Sequence, residues 1–143
     1  MAVRIGDRAA LRVAKFAPTK RALATLRTLG YKADIAERRT GPITRDLFGI
    51  VDIVAVHPTA RFGRPALNLP TVLLVQVTSR AHVSDRVAKI LAHPVTRALL
   101  DSQVAIQVWG FSPDRPDPRV VNICLKGLST VSAADVTFPG QNP

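Results

Sequence analysis

Two apolar runs dominate the chain, and a polar residue interrupts each. The first is Gly49-Ile50-Val51-Asp52-Ile53-Val54-Ala55-Val56, the end of a longer arm that starts at Arg45. The second is Thr71-Val72-Leu73-Leu74-Val75-Gln76-Val77-Thr78-Ser79. Both are rich in β-branched residues and short, the signature of strands. A buried carboxylate is costly unless it is paired or holds a metal, so Asp52 and Gln76 are the first places to look for chemistry. Between the arms lies a connector, Pro58 to Pro70, which carries Arg61 and Arg64. Asp52 stands six residues before its start and Gln76 six after its end. If the arms run antiparallel without a bulge, the two side chains meet across the ladder.

The remaining pattern alternates between helical and strand periods. Residues 1–16 read as a basic amphipathic helix: Arg4, Arg8, Arg12 and Lys15 form one stripe, and Ile5, Ala9, Val13 and Phe16 the next. Such a stripe suits a phosphate backbone and equally suits a solvated helix face. Pro18 and Thr19 open a second helix with Ala22, Leu23, Leu26 and Leu29 inward, and Gly30 ends it. Tyr31 to Arg39 alternates as one strand, with Tyr31, Ala33, Ile35 and Glu37 on one face. Gly41-Pro42 marks a turn. Beyond Ser79, a plausible cap, Val83, Val87, Ile90 and Leu91 form an apolar helical face, and His82, Arg86, Lys89 and His93 a polar one. Pro94 breaks this helix before a short second one. Gln103–Phe111 and Arg119–Leu125 read as strands joined by a proline-rich turn. The organisation expected is one domain over 1–130 and a loose C-terminal tail over 131–143.

Composition adds the partner. The chain has 143 residues, enough for one domain, and its 47% hydrophobic content rules out a disordered chain. No run approaches a membrane span of about 20 apolar residues. Arg4, Asp7, Arg8 and Arg12 break up the N-terminus, unlike a secretory signal. A single cysteine, Cys124, excludes an intrachain disulfide and zinc-finger chemistry and fits a reducing cytoplasm; its apolar surroundings read as core. The net charge is +10, mostly from arginine, whose guanidinium grips phosphate in bidentate fashion. Nucleic acid is the leading candidate partner, ahead of an unspecialised solvated surface and, further back, a membrane-surface role. Lys20, Arg21, Arg38, Arg39, Arg45, Arg80 and Arg86 are the candidate contacts.

The element order predicts an α/β fold: a mixed β-sheet with an αβββαβ core, flanked by helices. Here the chain resembles the PD-(D/E)XK nuclease superfamily, in particular small phage and bacterial members akin to Holliday-junction resolvases. The residues that carry the resemblance are Asp-Leu-Phe-Gly-Ile-Val-Asp-Ile-Val-Ala and Leu-Val-Gln-Val-Thr-Ser, within a core from Pro18 to Phe111. It implies a restriction-endonuclease-like sheet and hydrolysis of DNA phosphodiesters, with branched DNA as one substrate, assisted by Mg2+ or Mn2+. It implies that Gly49 to Asp52 brings the metal-binding aspartate and that Gln76-Val77-Thr78 occupies the place of the family's acid-x-lysine triplet. On that reading Asp52, Gln76, Thr78 and Lys89 are the catalytic candidates, and Asp52, Gln76, Glu37 and Asp46 the metal candidates. Dimers are common in such relatives, so a homodimer is an implied partner.

The departures from the pattern define the competing readings. Gln76 offers a neutral oxygen where the family has a second acid, and Thr78 carries no charge where it has a lysine. Lys89 or Arg86 on the following helix is the candidate replacement cation. Glu37 suits either the metal or an ion pair with Arg38, Arg39 or Arg45, and Asp46 either ligation or a turn bond to its own backbone. The first alternative function is a nuclease-fold DNA-binding protein that cuts weakly or not at all. The second is a basic structural protein. His57 and His82 lack a second ligand at metal spacing and read as surface or strand-end residues.

Overall fold

The computed structural model describes residues 17–58, 70–127 and 130–136. The basic helix expected over 1–16 lies outside them, as does the connector from 59 to 69. The first described element is helix α1, Pro18–Thr28. Pro18 opens it with φ already set for a helix, and Gly30 leaves it at φ +95°, a conformation other residues adopt at a cost. Ala22, Leu23 and Leu26 form its buried face, as the spacing predicted.

A six-stranded sheet forms the centre. Its strands are β1 (Lys32–Ile35), β4 (Ile53–Val56), β5 (Val72–Ser79), β6 (Ala105–Ser112), β7 (Arg115–Lys126) and β8 (Thr130–Val136), side by side in that order. A separate two-stranded hairpin joins β2 (Arg38–Thr40) to β3 (Ile43–Arg45). All neighbours in the main sheet are antiparallel except β5 and β6. That parallel pair needs a crossover, supplied by helices α2 (Val83–Ala92) and α3 (Pro94–Asp101). The expected mixed α/β sheet flanked by helices is therefore present.

Alternation along β5 splits the core in two. Leu73, Val75 and Val77 face α1, together with Ile53, Ala55, Trp109 and Phe111. Leu74 lies in the opposite cluster with Ile50, Val51, Val83, Ile90, Ile106 and Val108, under α2 and α3. All of β5 except its two ends is buried, as expected of a central strand covered on both faces. Gln76 and Thr78 share the face of Leu74 by alternation.

Three expectations need correction. The strand expected over Tyr31–Arg39 is two, β1 and β2, separated at Ala36 and Glu37. Ala36 turns its N–H to the carbonyl of Asp52 (2.8 Å), which ends the regular pairing there. The arm expected from Arg45 to Val56 is also interrupted. Phe48 and Gly49 both adopt positive φ (56° and 71°), and Gly49 and Ile50 donate back to Asp46 and Leu47 in a tight turn. An isolated bridge between Leu47 and Val51 closes that turn. Finally, the tail expected to be loose from 131 begins with an ordered edge strand, β8, paired along its whole length with β7.

Two smaller signals were also misread. Ser79 does not cap α2; a 3-10 turn, Arg80–His82, intervenes, and His82 occupies the cap position without a side-chain bond. The proline-rich turn shrinks to Pro113-Asp114, and Pro116 and Pro118 sit inside β7 beside a register shift. Irregular pairing of this kind is where a strand tolerates residues without an N–H.

Gly110 governs the seat of the crossover. It pairs with Thr78, and a Cβ there would stand 2.2 Å from Cγ2 of Val83 and 3.2 Å from the Cα of Arg80. Val83 is fully buried and β-branched, so it has little freedom to move. Gly110→Ala should destabilise the fold by about 1–3 kcal/mol, the usual range for overpacking. Urea unfolding checks this, and an unchanged midpoint would contradict the close packing.

Candidate metal and phosphodiester site

Asp52 sits at the mouth of β4, one residue before its first paired position. Ile53 pairs with Val75, so Asp52 falls opposite Gln76 at the end of the ladder. The backbone N–H of Asp52 donates to the carbonyl of Val75 (3.0 Å), which holds it in register. Its carboxylate Oδ2 accepts two bonds: from the N–H of Val77 (2.7 Å) and from Nε2 of Gln76 (2.5 Å). The meeting of Asp52 and Gln76 expected from the equal spacing is thus realised.

The Asp52 carboxyl is held far above its ordinary value, at about 7 against 3.8. Burial is the largest cause. The Val77 N–H opposes it, because a donor favours the charged form. Asp46, through charge and a hydrogen bond, and Glu37, through charge, push it up further. Glu37 and Asp46 therefore both act on Asp52, although they stand on opposite sides of the β2–β3 hairpin in the chain.

Gln76 is 2% exposed, and its Oε1 has no hydrogen-bond partner. An orphaned buried carbonyl oxygen beside a carboxylate is costly and calls for an explanation. Among the described residues no three His, Cys, Asp or Glu side chains gather as a metal-holding group. The oxygens available are the Asp52 carboxylate and the Oε1 of the amide whose Nε2 donates to it, with further negative charge from Asp46 and Glu37. All are hard oxygen donors, the set that Mg2+ and Mn2+ take, and one or two carboxylates suffice when water and phosphate complete the shell. The residues fit such a cation.

No family model, curated protein or solved structure matches this chain.

The other candidates divide. Thr78 is buried on β5, two residues beyond Gln76, on the same face. Lys89 and Arg86 line a surface depression with Asp85 on α2 and His82 just before it, and Lys89 is exposed. Arg38, Arg39 and Arg45 are all exposed on the hairpin. Arg80 follows β5 in the 3-10 turn with its Nε buried and unpartnered. Lys20 is exposed on α1. Arg21, read as an outward phosphate contact, has another task. It donates to the carbonyls of Ser112 (3.1 Å), Arg115 (2.7 Å) and Pro116 (2.9 Å) and lies 5.0 Å over the Phe111 ring. It ties α1 to the β6–β7 turn.

His57 stands at the end of β4, one of the two places expected, but it is buried and not at the surface: its Nε2 lies 3.1 Å from the Leu29 carbonyl, and it meets Tyr31 edge to face. The residue that sequence reasoning missed is Val77. It contributes a backbone N–H, and no side-chain pattern announces that. The adjacent Gln76 was the available signal, because a strand that aims one side chain at Asp52 also brings the next amide near it.

A proton on folded Asp52 makes stability depend on pH. Between about pH 4 and 7 the folded protein keeps a proton that the unfolded chain has released, so stability from this group falls as pH rises through that window and levels off above it. Asp52→Asn removes the charge while keeping an oxygen for Val77. At pH 8 and without divalent cations, the variant should melt above the native protein, and at pH 4 the gap should close. Mg2+ should raise the melting temperature of the native protein and not of the variant. A variant that melts lower at pH 8 would contradict a carboxylate burdened by burial.

Proposed function

We propose that the chain is a metal-dependent phosphodiesterase acting on DNA, with a restriction-endonuclease-like core. The observation that carries this reading is the unpartnered, buried Oε1 of Gln76 beside the Asp52 carboxylate, with Asp46 and Glu37 adding negative charge. The Asp52 carboxylate has two donors on Oδ2 but no cation partner among the described residues, and Asp46 and Glu37 crowd it with like charge. Raised carboxyl pKa values of this kind cluster at functional sites. The wording of the two arms, which resembles PD-(D/E)XK nucleases, supports the same chemistry.

In this reading Asp52 and Gln76 hold the cation, and Asp46 and Glu37 raise the local affinity for positive charge. A bound Mg2+ or Mn2+ would supply neutralisation of the phosphate and a more acidic attacking water. Gln76 would have two tasks: its Nε2 donates to the Asp52 carboxylate, and its Oε1, which has no hydrogen-bond partner, would be available to the cation. Val77 holds the second bond to Oδ2, so the carboxylate keeps one orientation whether or not Gln76 shifts. Asp52 must be deprotonated to hold the cation, so proton and cation compete for it, and cation binding weakens as pH falls below about 7.

A second reading, a nuclease-fold DNA-binding protein that cuts slowly, has its own support. Thr78 carries no charge to orient water, and Lys89 is exposed on the outer side of α2. One assay separates the two: supercoiled, linear and four-way-junction DNA incubated with Mg2+ or Mn2+, with Asp52→Ala and Gln76→Ala beside the native protein. The hydrolase reading predicts metal-dependent cutting, abolished by Asp52→Ala and reduced on the order of 10–100-fold by Gln76→Ala, the range for loss of a group that tunes a metal site. Salt-sensitive binding without any cutting would establish the second reading instead.

A further inference from the structure

The hairpin β2–β3 has no role in the core. All six of its strand residues are exposed, and it pairs with no strand of the main sheet. Its register sets Arg38 directly opposite Arg45 and Thr40 opposite Ile43. Alternate pairs share a face, so Arg38, Arg45, Thr40 and Ile43 lie on one side, and Arg39 and Thr44 on the other. Like charges directly across a ladder are destabilising. Among the described residues, no ion pair involves Arg38, Arg39 or Arg45. Ile43, at the free end beside Pro42, is 54% exposed. A surface ribbon with unbalanced positive charge and an apolar tip is poorly suited to water alone.

We infer that this hairpin is a β-ribbon arm that enters a groove of double-stranded nucleic acid, with Arg38 and Arg45 on the flanking phosphates and Ile43 toward the base edges. This rests on the reading of the chain as a nucleic-acid enzyme. Dimensions fit: three residues per strand span about 10 Å. The major groove is about 8.5 Å deep and about 12 Å wide, and admits a two-stranded ribbon. Residues 38–45 contain no aromatic side chain, so they lack the stacking platform on which single strands are held. The chain enters the hairpin from Glu37 and leaves it at Asp46, the two residues whose charge acts on Asp52. A duplex seated on the ribbon therefore brings its backbone toward the Asp52–Gln76 pair.

Fluorescence anisotropy in EDTA tests this, with a labelled 20-bp duplex and the single strand of the same sequence. The native protein is compared with R38A/R45A and with K32A/K126A, which removes two exposed charges elsewhere. The ribbon predicts that R38A/R45A loses about tenfold in duplex affinity and flattens the log–log salt slope by about 2, the worth of two phosphate contacts. Single-strand affinity and melting temperature should change little, and K32A/K126A should retain the native slope. Equal losses on both ligands, or none, would overturn the ribbon while leaving the hydrolase reading intact. A native protein that binds through the hairpin yet never cuts with Mg2+ or Mn2+ supports the ribbon and removes the hydrolase. A native protein with no affinity for either ligand overturns both.

Discussion

The grip on one carboxylate organises this molecule. Asp52 Oδ2 receives the Val77 N–H and the Gln76 amide, while the Asp52 backbone is bonded on one side to Val75 and on the other to Ala36. These bonds join β1, β4 and β5 at one end of the sheet. They also explain why β4 starts only at Ile53: the residue before it is committed to its neighbours through both side chain and backbone. A carboxylate held this firmly, yet crowded by Asp46 and Glu37, costs stability in the absence of a cation. Natural proteins tolerate such a cost chiefly where function demands it.

The same arrangement links the site to the surface. From Glu37 the chain runs out along the hairpin and returns at Asp46, then turns sharply through Phe48 and Gly49 to reach Asp52. Positive φ at Phe48, a bulky residue, is an uncommon strain, and it sits four residues from the central carboxylate. Acidic residues thus line the approach to Asp52, and arginines occupy the exposed arm between them. The order along the chain is acid, arginine ribbon, acid: Glu37 before the hairpin, Arg38, Arg39 and Arg45 on it, and Asp46 after it.

Much of the sheet was legible from periodicity. The central strand β5, the crossover helices and the encounter of Asp52 with Gln76 follow from apolar runs and equal spacing, because burial on both faces leaves a continuous signature. The failures share a different cause. The break between β1 and β2 and the turn at Phe48 depend on backbone bonds to distant carbonyls, which side-chain patterns do not encode. β8 was missed because Ser132, Ala133, Ala134 and Asp135 fill its middle with small and polar residues; it is an edge strand with five of seven residues exposed. Arg21 was read as an outward charge because its acceptors, three carbonyls near residue 115, lie far away in the chain. The electrostatic role of Glu37 and Asp46 was visible only as two open choices, and folding settles their proximity to Asp52.

The central claim is that the pair Asp52–Gln76 is built to hold a hard cation. The most direct measurement is anomalous scattering from a crystal grown with Mn2+ at pH 8, where Asp52 is ionised. The account predicts a single strong peak within ligand distance of an Asp52 oxygen and Gln76 Oε1, absent from crystals of Asp52→Asn. A crystal with no peak there, and with a water or a side chain filling the place beside Gln76 Oε1, would contradict it.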